Sequence, residues 1–182
     1  MKLDFDTIYM AMCVDLSQRS IDPSTKCGCI VVSEDNAVLS MGYNGPPADC
    51  PDHLIPLTRP EKYRYFNHAE RNAIDFAARH GVSLLGSTFY ITGAPCVDCF
   101  RSILNQKPKR ILNGNGHAVL TDSDQEYQKT IDLLNTSANQ SPSSLQKKVK
   151  IEQFNLANCA SVWEASKKYL EEKGILNHET GR

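Results

Sequence analysis

Four residues in two short stretches are of types that hold metals or move protons. HAE, residues 68 to 70, supplies a histidine and a glutamate; PCVDC, residues 95 to 99, supplies two cysteines. Each stretch alone is ambiguous. H-x-E is an ordinary polar pair at a helix start, and C-x-x-C reads equally well as a redox dithiol, half of a structural zinc site, or two buried thiols. A four-cysteine site needs a second C-x-x-C, and the chain has none, since Cys27 and Cys29 form only C-x-C. A thioredoxin-type centre would follow the first strand of a βαβ unit, whereas this pair follows the third strand.

The elements decide whether the two stretches can meet. Phe5, Ile8, Met12 and Leu16 recur at helical spacing and predict a first helix with that apolar face, ending near Pro23. CGCIVV and AVLSMGYN, separated by the turn-type cluster SEDN, predict a hairpin. A long Pro-rich loop leads to a helix capped by Asn67, with Ala69, Ala73, Ile74, Ala77 and Ala78 on one side and Gly81 at its end. Strands and helices then alternate through STFYIT, CVDCFRSILNQ, KRILNG, DQEYQKTIDLL, KKVKIEQF and SVWEASKKYLEEK. This order predicts a three-layer α/β/α sandwich around a mixed five-stranded sheet, with the hairpin as an antiparallel edge.

Successive helix N-termini then fall on one edge of the sheet, so His68, Cys96 and Cys99 can converge. One nitrogen and two sulfurs leave a tetrahedral Zn2+ with an open position, the catalytic rather than the structural pattern. Glu70, two residues from His68, can reach that position as a proton carrier.

The 182 residues suit one domain over 1–182, with the polar stretch 135–147 as a mobile surface loop. A net charge of -1 argues against a grip on long nucleic acid. No apolar run is long enough to span a membrane, and Asp4, Asp6 and Asp15 argue against a leader, which suggests a cytoplasmic protein. Seven cysteines suit a reducing compartment; Cys13, Cys27, Cys29 and Cys159 read as small buried residues. Trp163 is expected to anchor the last helix in the core or an interface, and His117 to lie in a loop.

H-x-E followed after about 25 residues by P-C-x-x-C is the signature of zinc-dependent nucleobase deaminases. Beyond it, DPSTKCGCIVV, SMGYNGPP, HAERNAIDFAARHG and STFYITGAPCVDC resemble the deoxycytidylate (dCMP) deaminase family, closely over residues 5 to 112. The chain departs from the family pattern at Arg71, Gly93 and Ala94. The resemblance implies a cytidine deaminase-like fold, zinc on His68, Cys96 and Cys99, and Glu70 as proton shuttle. It implies Asn44 on the sugar, the Ala69 backbone on the base, and cations for a 5'-phosphate among Lys26, Arg59, Lys62 and Arg64. The implied reaction converts dCMP to dUMP and ammonia, supplying dUMP for thymidylate synthesis. Also implied are dCTP and dTTP effectors, Mg2+ carried by such an effector, and a homo-oligomer, by preference a hexamer. Cys50 and His53, as C-x-x-H in the long loop, resemble part of a second zinc site that some family members have in this region. Two other readings stay open: deamination of another base or nucleoside, including guanine or a riboflavin precursor, and a non-catalytic zinc-containing nucleotide sensor. An intact Glu70 speaks against the sensor.

Overall fold

The computed structural model describes residues 2–116, 124–140 and 149–176. The elements follow the expected order: α1 (Phe5–Ser17), β1 (Gly28–Val32), β2 (Val38–Tyr43), α2 (Ala69–Arg79), β3 (Thr88–Ile91), α3 (Val97–Asn105), β4 (Arg110–Gly114), α4 (Asp124–Asn139), β5 (Lys150–Phe154) and α5 (Ala160–Glu172). The sheet order is β2-β1-β3-β4-β5. β1 runs antiparallel to both its neighbours, and β3, β4 and β5 are parallel.

The pleat sorts side chains between two cores. Cys29, Val31, Phe89, Ile91 and Ile111 point to α2, α3 and α4, where Ala69, Ala73, Ala77, Phe100, Ile103 and Ile131 meet them. Ile30, Val32, Tyr90 and Leu112 point the other way, to Tyr9, Met10 and Cys13 of α1 and the segment before α5. Every residue of β1 is buried. Its unbroken apolar run is what a strand covered on both faces requires. The expected three-layer sandwich is present.

Four local expectations need correction. The buried residues of α1 include Thr7, Tyr9, Met10, Cys13 and Ser17, while Phe5 and Met12 are exposed. The reason is close approach: a Cβ at Gly28 would lie 2.0 Å from the Cys13 carbonyl oxygen, so α1 meets the sheet along the side that carries Cys13, with Tyr9 and Met10 packed beside it. Ala78 is exposed, so the apolar side of α2 is narrower than expected. Asn67 does not cap α2; His68 does. Asn67 is held in a two-way backbone bridge with Gly45 (2.8 and 3.1 Å), which keeps it extended and starts the helix one residue later. Finally α4 continues through Asn139, so residues 135–139 of the expected 135–147 loop are helical. Residues 141–147 and His117 lie outside the described residues.

Trp163 is partly exposed and donates from Nε1 to Asp15 (3.3 Å), bridging α5 to α1. Cys13, Cys29 and Cys159 are buried as expected; Cys27 is only half-buried.

Gly42 in β2 is where α2 comes closest to the sheet. A Cβ there would lie 2.3 Å from the Ala69 carbonyl oxygen and 2.4 Å from the Ala73 nitrogen, both backbone atoms that cannot swing away. Gly42→Ala is therefore expected to push the start of α2 outward and cost about 1–3 kcal/mol or more, as overpacking does. Chemical denaturation reads the loss; an unchanged midpoint would show that α2 shifts freely.

Candidate metal centre and catalytic pocket

The antiparallel placement of β1 beside β3 brings the start of one strand to the end of the other. Thr92 N–H donates to the Gly28 carbonyl (3.1 Å) and Gly28 N–H donates to Thr92 Oγ1 (3.1 Å). The end of β2 joins them, with Asn44 N–H donating to the Cys27 carbonyl (3.1 Å). The Gly45–Asn67 bridge returns the long loop to this edge and releases α2 there. α3 begins a few residues after β3 at the same edge. Two helix N-termini and three strand ends thus meet at one edge of the sheet.

His68 and Cys96 occupy equivalent positions, each the extended N-cap residue of its helix (φ -74, ψ 159 and φ -66, ψ 166). An N-cap side chain projects beyond the helix end, so both reach into the gap between α2 and α3. His68 Nδ1 lies 3.4 Å from Cys96 Sγ and 3.5 Å from Cys99 Sγ, and the three donor atoms are all within 4.8 Å of one another. Zn–N bonds of about 2.0–2.1 Å and Zn–S bonds of about 2.3 Å at tetrahedral angles give N···S edges of about 3.5 Å. The residues present fit zinc.

The cluster's electrostatics suit a cation. A hydrogen bond with the Cys99 thiol, with help from the His68 ring and the Cys99 N–H, pulls Cys96 below the ordinary thiol value. Cys99 is raised in return, because the two sulfurs share a proton and burial disfavours a second charge. The hydrogen bond to Cys96 raises His68. A bound dication releases such protons and makes both sulfurs thiolates.

Glu70 is 5% exposed and lies in the first turn of α2, with its carboxyl against the Cys99 thiol. Burial raises its pKa, more than its own backbone N–H and His68 lower it. A carboxyl whose pKa is raised by burial gives and takes a proton more readily than an ordinary surface carboxylate. Arg71 instead faces solvent and pairs with Asp75 (3.0 Å), so this departure from the family pattern stays outside the pocket. Ala69 is fully buried behind Gly42.

Asn44 is buried, with its side chain tied to the segment before β1: Oδ1 accepts from Cys27 N–H (2.7 Å) and Nδ2 donates to the Thr25 carbonyl (2.8 Å). Its second amide hydrogen remains for a ligand. Lys26 Nζ turns back to the carbonyls of Gln18 (3.4 Å) and Ser20 (2.5 Å). Of the loop cations, Arg59 and Arg64 are exposed, whereas Lys62 is 1% exposed and cannot serve as a surface phosphate contact. Its ammonium is consumed by Asp22 (2.6 Å). Among the described residues Cys50 and His53 gather no third His, Cys, Asp or Glu donor, the only such group being His68, Cys96 and Cys99.

Sequence reasoning missed Thr92, Asn72 and Asp22. Thr92 ties β3 to β1, and Asn72 donates to the Tyr43 carbonyl (2.8 Å) while accepting from Asn67 Nδ2 (3.1 Å), which steadies the strand end and the histidine's neighbour together. The Asn in HAERN was the available signal for the second.

Residues 3–115 match the family model described as the cytidine and deoxycytidylate deaminase zinc-binding region. The chain belongs to this deaminase family. Its relatives include a mouse protein named deoxycytidylate deaminase, 33% identical over 116 residues that cover 60% of this chain and 64% of the relative. The chain thus spans about two thirds of that relative's length, slightly less by count. A deoxycytidylate deaminase of phage T4 is 30% identical over 137 residues, 53% of this chain and 70% of that one. The solved dCMP deaminase of cyanophage S-TIM5, described in complex with dCMP and dUMP, shares 26% identity at a TM-score of 0.60 over 85% of this chain and 99% of its own. The family's H-x-E and P-C-x-x-C residues in this chain are those the fold brings together. No helix among the described residues is long and apolar enough to cross a membrane.

Proposed function

We propose that the protein deaminates dCMP hydrolytically, giving dUMP and ammonia. The observation that carries the reading is a buried Glu70 set against a three-donor cluster of His68, Cys96 and Cys99. Three protein ligands leave a fourth position for substrate chemistry, and a structural site would have no use for a buried carboxyl beside it. Likeness to deaminases whose names and ligands are dCMP and dUMP supports the substrate.

Zinc held by the three side chains supplies a Lewis acid that brings water to reactive ionisation near neutral pH. Glu70 takes the proton that water releases and carries it to N3 of the cytosine as C4 gains oxygen. It then takes the proton of the new C4 hydroxyl and delivers it to the C4 amino group, so that the C4–N bond breaks, ammonia leaves and the C4 carbonyl of dUMP forms. Asn44 holds the sugar with its free amide hydrogen, and the backbone at Ala69 meets the base edge. Water and dCMP are consumed, dUMP and ammonia are formed, and Glu70 returns to its starting state.

Ammonia release from purified, zinc-assayed protein tests this against dCMP, dCTP, deoxycytidine, cytidine and guanine. dCMP is expected to show the largest kcat/KM. Activity confined to nucleosides or guanine would overturn the substrate, and zinc-loaded protein inert to all five would favour a sensor. Control by dCTP and dTTP with Mg2+, a hexameric assembly and a second zinc at Cys50 and His53 rest on family resemblance. The same assay with each nucleotide, sedimentation, and a zinc-to-protein ratio read all three.

A further inference from the structure

The ladder between β1 and β3 is irregular where it reaches the metal cluster. Gly28 and Thr92 come next after the pair Cys29 and Ile91, and a regular antiparallel pair in that hydrogen-bonded position would exchange two backbone bonds. Only one of the two is made. Thr92 N–H donates to the Gly28 carbonyl (3.1 Å), but Gly28 N–H donates to Thr92 Oγ1 (3.1 Å). The Thr92 carbonyl turns aside and accepts from Gly116 N–H (2.9 Å). A side-chain hydroxyl thus stands in for a backbone carbonyl, in a residue only 4% exposed, where an unmade bond is costly. There the ladder ends, and Cys96 follows four residues on.

Gly28 in turn leads to Asn44. Cys27, its chain neighbour, accepts from Asn44 N–H (3.1 Å) and donates its own N–H to Asn44 Oδ1 (2.7 Å). Asn44 is therefore tied to both arms of the metal cluster, by different means. On the histidine side the tie is all backbone, through the bridge between Gly45 and Asn67, the neighbours of Asn44 and His68. On the cysteine side it passes through one side chain, that of Thr92. We propose that Thr92 is a positioning residue, whose hydroxyl sets the spacing between Asn44 and the segment that carries Cys96 and Cys99. This rests on the reading above, in which Asn44 holds the substrate's sugar. Without the hydroxyl, either the Thr92 carbonyl swings back to Gly28 and abandons Gly116, or Gly28 N–H loses its acceptor. Both re-aim the path to Cys96. A misplacement of about 1 Å between an anchored substrate and the reacting group costs about a hundredfold in rate.

Kinetics on zinc-loaded protein test the spacing. Thr92→Val keeps the size and loses the hydroxyl; it should lower kcat for dCMP about a hundredfold with zinc content unchanged. Thr92→Ser restores the hydroxyl and should recover all but about threefold of the loss. If the valine variant does not fold, Thr92→Ala takes its place. In an Asn44→Ala background the sugar is no longer held, so losing the Thr92 hydroxyl should cost less than about threefold more, whereas a merely structural loss would multiply in full. Amide hydrogen exchange reads the tie without substrate: Gly28 N–H should exchange at least about tenfold faster in Thr92→Val and stay protected in Thr92→Ser. Wild-type turnover or lost zinc in Thr92→Val, equal damage in Thr92→Ser, full multiplication with Asn44→Ala, or an unchanged Gly28 amide would each overturn the proposal. A wild-type protein that turns over deoxycytidine but not dCMP, with the variants in the same order, would sink the dCMP reading alone.

Discussion

Glu70→Gln is expected to leave zinc bound and to lower kcat by about a hundredfold to ten-thousandfold, the usual weight of a positioned acid–base group. The amide has the carboxyl's shape and fits the same buried place, but it cannot take a proton from water and return it. Glu70 is not among the three clustered donors, so metal content should not change. A second, opposite effect follows from burial, which raises Glu70's pKa in the folded protein. Between the unfolded pKa and this raised value the native state binds more protons, so in metal-free protein the group's contribution falls as pH rises through that window. At neutral pH the uncharged Gln should make metal-free protein at least as stable as wild type. Zinc analysis, ammonia release and thermal melts with chelator check each part. Turnover within tenfold of wild type would show that another group moves the proton.

Cys99→Ser is expected to abolish both zinc binding and activity. Cys99 is 6% exposed, with its sulfur 3.5 Å from His68 Nδ1 and beside Glu70. Serine's hydroxyl is shorter-bonded and ionises far less readily than a thiol, so it supplies no comparable ligand. Metal that binds only the native state stabilises it by about 2.7 kcal/mol when free zinc is a hundred times Kd. For a chain of this size that is a Tm difference of about 5–11 °C. Chelator should lower the wild-type Tm by that order and leave Cys99→Ser where it was. A variant that still melts lower with chelator would retain metal, and the three-ligand assignment would fall.

Much of this was legible in the chain. The alternation of strand and helix patterns carried the layer order, and order alone brought His68, Cys96 and Cys99 to one edge. What the pattern could not carry was which face of α1 is buried. That helix is apolar nearly all round, and the choice was made by the close approach of Cys13 to Gly28, a distant backbone contact. Asn67 looked like a cap because its residue type suits one, yet its pairing with Gly45 across the long loop took it out of that role. Lys62 was indistinguishable by type from Arg59 and Arg64. Only the fold shows that Asp22, 40 residues earlier, draws it inside.

The two-way bridge between Gly45 and Asn67 ties the ends of the intervening loop like the neck of a bag. The tip around Asp49 and Leu54 is exposed, and loop closure costs only about 0.6 kcal/mol more for each doubling of length. Lineages can therefore lengthen, shorten or rewrite that tip while the knot at its neck keeps His68 on target. The chemistry and the adornment that distinguishes one member from another can evolve on separate schedules.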